Sequence, residues 1–219
     1  MKKQIKRNFG ISIALLILFA LWTVAVRFID VQAIGPECSS VGFATLNRFI
    51  HNLTDENFVL YKITDWLGLV PFVFVMGFAI LGIVEWIKQK SFLMVDYSIL
   101  VLGGFYIATI VVYIFFEIVV INYRPVLIGG YLEASYPSST TMLVMCVMPT
   151  TMMQLNDRIK NRMLKISVNF LITAFIAFMV IGRLISGVHW FTDIIGGAIF
   201  SAGLVMMYYS ISSLKVRLY

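Results

Sequence analysis

Six long apolar runs take up most of this 219-residue chain, and they limit what it can fold into. They cover residues 9–29, 66–87, 92–121, 140–155, 166–185 and 191–214. A hydrocarbon layer about 30 Å thick takes about 20 helical residues to cross. A segment inside it must satisfy its own backbone hydrogen bonds, which leaves helices or closed barrels, and runs of this length point to helices. The expected fold is all-α: a polytopic bundle of six transmembrane helices. Composition agrees, at 60% hydrophobic and 13% charged, against roughly 45–50% and 25% in soluble domains. The fourth run is the weakest, being short and carrying Pro149 and several threonines. The first run shows no clear small-residue cleavage site, so it is expected to stay as a helix. No internal repeat or low-complexity tract divides the chain, and 1–219 reads as one domain.

Basic residues set the expected orientation. Twelve of the 17 lysines and arginines fall on one side of such a bundle: Lys2, Lys3, Lys6, Arg7, Lys88, Lys90, Arg158, Lys160, Arg162, Lys165, Lys215 and Arg217. Arg27, Arg48, Lys62, Arg124 and Arg183 fall on the other. Both termini are thus expected in the cytoplasm. The net charge of +6 reflects this clustering beside apolar runs and gives no reason to invoke nucleic acid. In the 30–65 loop, Phe43, Leu46, Phe49, Ile50 and Leu53 recur at helical spacing, with Asn47, Arg48, His51 and Asn52 between them. That pattern predicts a short amphipathic helix on the extracytoplasmic interface. Cys38 and Cys146 fit no metal or disulfide spacing, and Cys146 reads as a small hydrophobe.

With this topology three polar segments converge on the extracytoplasmic face: Asn122-Tyr123-Arg124-Pro125, Tyr136 to Thr141, and Arg183 to Asp193. His189 and Asp193 are four apart, hence neighbours on one helix face. A carboxylate accepting from one ring nitrogen leaves the other free to attack. Arg183 lies six residues before His189, roughly 240° around a continuous helix. The two converge only if the chain leaves helical geometry between them, and Ser186-Gly187 supplies the break. Arg124 suits a bidentate phosphate contact; an ordinary interfacial arginine is the plain alternative. Ser138 and Ser139, after Pro137, suit a helix start whose free N–H groups can hold an anion; a simple cap is the alternative. Glu117, two turns before Arg124, is an acid inside an apolar run, a candidate auxiliary group or a salt-bridge partner for Arg124. No His, Cys, Asp or Glu set has metal-ligand spacing, and no cofactor is implied.

These segments resemble the type 2 phosphatidic acid phosphatase (PAP2) superfamily, whose pattern is K-x6-R-P, then P-S-G-H, then S-R-x5-H-x3-D. The third block matches in spacing as Gly182-Arg183, His189 and Asp193. The first keeps Arg124-Pro125 and the second keeps Pro137-Ser138. The resemblance implies a membrane lipid phosphatase, metal-independent, with the bilayer and a phosphorylated lipid as its partners. His189 would form a phosphohistidine, and Asp193 would orient it. Arg124, Arg183, Ser138, Ser139 and Thr140 would hold the phosphate. Two positions depart from the pattern: Glu117 stands where the family has lysine, and Thr140 where it has the histidine that protonates the leaving group. A threonine hydroxyl is not a useful acid near neutral pH. The expectation is therefore a phosphatase favouring a good leaving group, such as a polyprenyl diphosphate over phosphatidic acid. A catalytically weakened or inactive relative that binds phosphorylated lipids is the alternative. A transporter would spread polar residues through the bundle, whereas here they cluster at one edge.

Overall fold

The computed structural model describes residues 2–215, and Arg217 lies outside them. Its elements are helices, with isolated antiparallel bridges in the loops among the described residues. In chain order these are α1 (Lys2–Phe28), α2 (Ala44–Thr54), α3 (Phe58–Leu67), α4 (Val70–Gln89), α5 (Tyr97–Ile118), α6 (Ser139–Arg158), α7 (Arg162–Ile185) and α8 (Phe191–Lys215). Short polar side chains start several of them. Asn57 accepts from the Leu60 amide, Asp96 from Ser98, and Asn161 from Leu164.

Among the described residues, five stretches are long and apolar enough to cross a membrane: α1, α3 with α4, α5, α7 and α8. The sixth expected span, α6, falls short on composition, and packing explains why. It lies among α4, α5, α7 and α8, and Thr141, Thr150, Thr151 and Gln154 are all buried on it. A helix walled in by protein can carry polar groups that neighbours satisfy. Tyr106 of α5 hydrogen-bonds Thr150, and Gln154 contacts Tyr208, Ser98 and Arg158. The lipid-facing helices show the opposite pattern. Leu21, Val73, Met76, Ile107, Phe170 and Leu171 are exposed on their outer faces, as hydrocarbon contact allows.

The longest helix contact runs between α1 and α8. Ser12 Oγ donates to Gly203 O at 2.8 Å, and Trp22 Nε1 donates to Thr192 O at 3.2 Å. At Gly196 an added Cβ would stand 2.6 Å from the Tyr136 ring, so only glycine lets the loop before α6 pack against α8.

The amphipathic helix expected within 30–65 is α2, and of its polar residues Asn47 faces inward while Arg48 and Asn52 are exposed. Asn47 is fully buried, donating to Gly42 O and Thr192 Oγ1 and accepting from the Thr192 amide. Leu46, Phe49 and Leu53 point outward. The same loop holds a second helix, α3, which the sequence reading left as connection. It extends the second apolar run back to Phe58.

Candidate active site

The loop from α5 to α6 folds back on itself. Tyr123 pairs with Ala134 and Ile128 with Tyr131, around Gly129 and Gly130 at φ +60° and +86°. The Arg124 amide donates to Glu133 O at 3.0 Å, and the Ser135 amide to Asn122 O at 2.9 Å. Residues two apart on an extended arm share a face. Asn122 and Arg124 on one arm, with Glu133 and Ser135 opposite, are thus set as one group.

The α7–α8 connection brings the second group. Helix α7 ends at Ile185, and Gly187 takes φ +68°. A Cβ there would meet Asp55 O at 2.1 Å, so only glycine fits the turn. The helical break expected at Ser186-Gly187 is present. One expectation needs correction: His189 is not on the last helix with Asp193. It sits in the turn before α8, while Asp193 lies in the first turn of that helix. There the Asp193 carboxylate reaches back to the Trp190 amide at 3.0 Å, as an acid three residues past the cap does.

The two groups meet in a buried network. Asp193 Oδ2 accepts from Ser135 Oγ at 2.5 Å, and Oδ1 accepts from Asn122 Nδ2 at 3.2 Å. His189 Nδ1 lies 3.0 Å from the same Ser135 Oγ. The direct His189–Asp193 hydrogen bond expected from the spacing is absent among the described contacts, because Ser135 stands between the two side chains. On its other edge, His189 Nε2 is 3.4 Å from Arg124 Nη1. Burial first, then the charges of Arg124 and Arg183, hold the imidazole well below its usual value of 6.5. The ring is therefore neutral near pH 7, as a nucleophile must be.

The expected phosphate ligands divide. Arg124 is 9% exposed and reaches His189 directly. Arg183 is 1% exposed and has no hydrogen bond to the ring among the described contacts. Its Nη2 donates to Thr140 Oγ1 at 2.7 Å and to Asp65 Oδ1 at 3.3 Å. Its Nη1 reaches Thr64 Oγ1 and Tyr61 O, and its guanidinium lies 5.0 Å from the Tyr61 ring centroid. The Nε of each arginine is buried without a hydrogen-bond acceptor. For Arg124 this holds although Glu133 Oε2 lies 3.1 Å away, close enough to pair but out of line. Ser138 caps α6, accepting from the Thr141 amide, while its own amide donates to Asp193 O at 3.0 Å. Glu117 is exposed and forms no salt bridge with Arg124; Glu133 takes that place.

Two hollows adjoin the network. A polar one of about 520 Å³ is lined by Glu117, Tyr123, Arg124 and Glu133. An apolar one of about 440 Å³ runs between α4 and α5 along Leu69, Phe72 and Ile110, ending at Asp65 and Thr140. Tyr113 and Ser139 line both.

Residues 122–217 match the model of the PAP2 superfamily. That match spans 96 of the 219 residues. Arg124, Ser138, Arg183, His189 and Asp193 all lie within it, as do Asn122 and Ser135, whereas Asp65 and Glu117 lie outside. The structure is similar over 95% of the chain to a crystal structure of a transmembrane PAP2-type phosphatidylglycerolphosphate phosphatase from Bacillus subtilis. The likeness covers 98% of that chain, with a TM-score of 0.64 and 20% identity, and is one of fold. No curated protein matches the sequence. The sequence reading missed Ser135, Glu133, Asp65 and Thr64. Ser135 directly precedes a quoted segment, but nothing in a one-dimensional pattern distinguishes it from any loop serine.

Proposed function

We propose that this protein is a membrane lipid phosphatase that removes phosphate from a lipid phosphate or diphosphate. The observation that carries the reading is the pair of buried arginine Nε–H groups without acceptors, beside a neutral imidazole. Buried donors are ordinarily satisfied, and a tetrahedral phosphate would satisfy these. The PAP2 match supports the same activity class. The apolar hollow ending at Thr140 suits a chain-bearing substrate whose headgroup occupies the polar hollow.

In this reaction His189 Nε2 attacks phosphorus and forms an N–P bond. The bond to the lipid oxygen breaks, and that oxygen leaves with the electron pair and takes a proton from water. A second water then attacks phosphorus. The N–P bond breaks with its pair returning to Nε2, and phosphate departs as the water's proton passes to solvent. Arg124 and Arg183 oppose the charge on the equatorial oxygens. No metal takes part. With Thr140 in place of the family's acid, the preferred substrate is a diphosphate, whose leaving phosphate needs less protonation than an alkoxide.

The site faces the extracytoplasmic side, and both termini are cytoplasmic, supported by the twelve-to-five division of basic residues. Cysteine labelling of intact cells tests this with Leu53→Cys and Lys160→Cys, each on a Cys38→Ser background because native Cys38 is exposed. Position 53 should label and 160 should not; the reverse overturns the orientation. The activity test is phosphate release in detergent, with chelator, from phosphatidic acid, phosphatidylglycerol phosphate and a polyprenyl diphosphate. Release that vanishes in His189→Ala is expected. Saturable binding of these lipids with no release from any would replace the enzyme with a lipid-phosphate-binding protein.

A further inference from the structure

From the geometry around Asp193 we infer that Ser135 is a positioning residue that fixes the His189 tautomer, relaying the Asp193 carboxylate to the ring and presenting Nε2 as the free lone pair. Its effect on rate rests on the phosphatase reading; its effect on the tautomer does not.

The argument is one of donors and acceptors. An ionised carboxylate only accepts. Asp193 Oδ2 lies 2.5 Å from Ser135 Oγ and also accepts the Trp190 amide. The single hydroxyl hydrogen of Ser135 therefore points at Asp193, and Oγ has only lone pairs left for the ring. His189 Nδ1, 3.0 Å away, must then be the protonated nitrogen. The neutral ring has one N–H, so Nε2 carries the lone pair. Arg124 Nη1, 3.4 Å from Nε2, has no acceptor role and agrees with that assignment. All four groups are at most 9% exposed, so water does not easily replace the relay. Asn122 holds the other carboxylate oxygen, and the Ser135 amide is tied to Asn122 O. The hydroxyl is thus aimed by the hairpin rather than free to rotate away. When Nε2 takes up phosphorus, the Nδ1 proton stays in place. The positive charge of the ring is then met by Ser135 and, through it, by Asp193, and no proton need cross the relay.

The test uses full-length protein in detergent micelles with ¹⁵N-labelled histidine, whose nitrogen shifts distinguish the two neutral tautomers. The chain has only two histidines, so a His51→Asn background leaves the His189 signals alone. The wild-type ring is expected as the Nδ1–H tautomer. Ser135→Ala should give a mixture or the Nε2–H form, and Ser135→Thr, which keeps the hydroxyl, should restore Nδ1–H. In phosphate release, Ser135→Ala should lower kcat roughly 10- to 100-fold, the scale of one hydrogen bond in a charged network, with KM within about threefold. A thermal melt confirms that each variant is folded. An Nε2–H wild type, or a Ser135→Ala protein with unchanged tautomer and kcat, overturns the relay. If the tautomer responds as expected but no lipid phosphate is hydrolysed, the relay stands and the phosphatase reading falls.

Discussion

Arg124 and Arg183 carry the same charge and hold matching places in the sequence pattern, yet the protein grips them differently. Arg124 comes from a hairpin, touches the His189 ring, and is paired only loosely, through Glu133 at 3.1 Å. Arg183 comes from the end of a spanning helix, and four protein groups already hold its terminal nitrogens: Thr140, Asp65, Thr64 and the Tyr61 carbonyl. One guanidinium is poised at His189 Nε2; the other braces α3, α6 and α7 where they meet. The difference teaches that a shared motif fixes residue type but not function. Arg124 should matter chiefly to chemistry, and Arg183 to both chemistry and the integrity of the site.

The floor for that comparison is loss of the nucleophile. His189→Ala should lower phosphate release roughly 10⁴-fold or more, as nucleophile removal does elsewhere. Asp193→Asn should cost roughly 10²- to 10⁴-fold, because the buried network then favours the wrong tautomer. Against that floor, Arg124→Ala should cost roughly 10²- to 10³-fold in kcat, the scale for one lost charge-stabilising donor. Arg183→Ala should cost less in kcat but destabilise the fold by about 1–3 kcal/mol, since Thr64 and Thr140 lose their partner. Kinetics paired with denaturation on both variants reads this directly. Equal losses in kcat with equal stabilities would erase the distinction drawn between the two arginines.

The arginines also differ in how they act on His189, and pH separates them. Burial, Arg124 and Arg183 all disfavour the imidazolium, so the ring stays neutral below its usual 6.5. The acid limb of kcat/KM, which reports the free enzyme, should therefore fall below pH 6.5. Removing a neighbouring positive charge makes protonation easier and moves that limb upward. Arg124 is the larger of the two charge effects, so Arg124→Gln should move it further than Arg183→Gln. An acid limb above pH 6.5 in wild type would mean the ring is not held as described.

Much of this was legible in the sequence. Hydropathy marked the spanning runs, because lipid-facing helices must be apolar, and motif spacing picked out His189, Asp193 and both arginines. What it misjudged has physical causes. Helix α6 looked too polar because neighbouring helices bury its threonines and hydrogen-bond Thr150 and Gln154, a condition no hydropathy window registers. The i, i+4 reading of His189 and Asp193 assumed one continuous helix, whereas α8 starts between them and leaves room for Ser135. Glu117 looked like the partner for Arg124 because they lie two turns apart in sequence. The chain turns into a hairpin after α5, and Glu133 arrives from the opposite arm.

Thr140 tests the Arg183 side at smaller effect. Its hydroxyl accepts from Arg183 and borders the apolar hollow. Thr140→His places a titratable group there in the position the family uses for acid catalysis. It should raise kcat/KM for phosphatidic acid at least about tenfold, the low end for a partly placed acid, and leave a polyprenyl diphosphate within about twofold. Equal gains on both would show that the missing acid does not set the substrate.

The smallest effect concerns the two carboxylates that share the polar hollow with Arg124. Glu133 stands 3.1 Å from Nε, in the place an anionic oxygen would take, and its side chain is 42% exposed. Glu117 lines the same hollow, is exposed, and bridges neither arginine among the described residues. Substrate must displace or reorient Glu133 but only pass Glu117. Exposed charges in water interact by about 1 kcal/mol or less. Glu133→Gln should therefore lower KM severalfold by freeing Arg124 without touching the nucleophile. Glu117→Gln should lower it by less than about threefold, through long-range repulsion alone. Ionic strength separates the two causes, since a Debye length of about 8 Å at physiological salt screens the distant charge more than the close pair. The Glu117→Gln gain should disappear by roughly 0.5 M salt, while part of the Glu133→Gln gain persists. A Glu117 effect that matches Glu133 and survives salt would place Glu117 in contact with the substrate. Both carboxylates would then oppose the extra charge of a diphosphate and weaken the preference for that substrate.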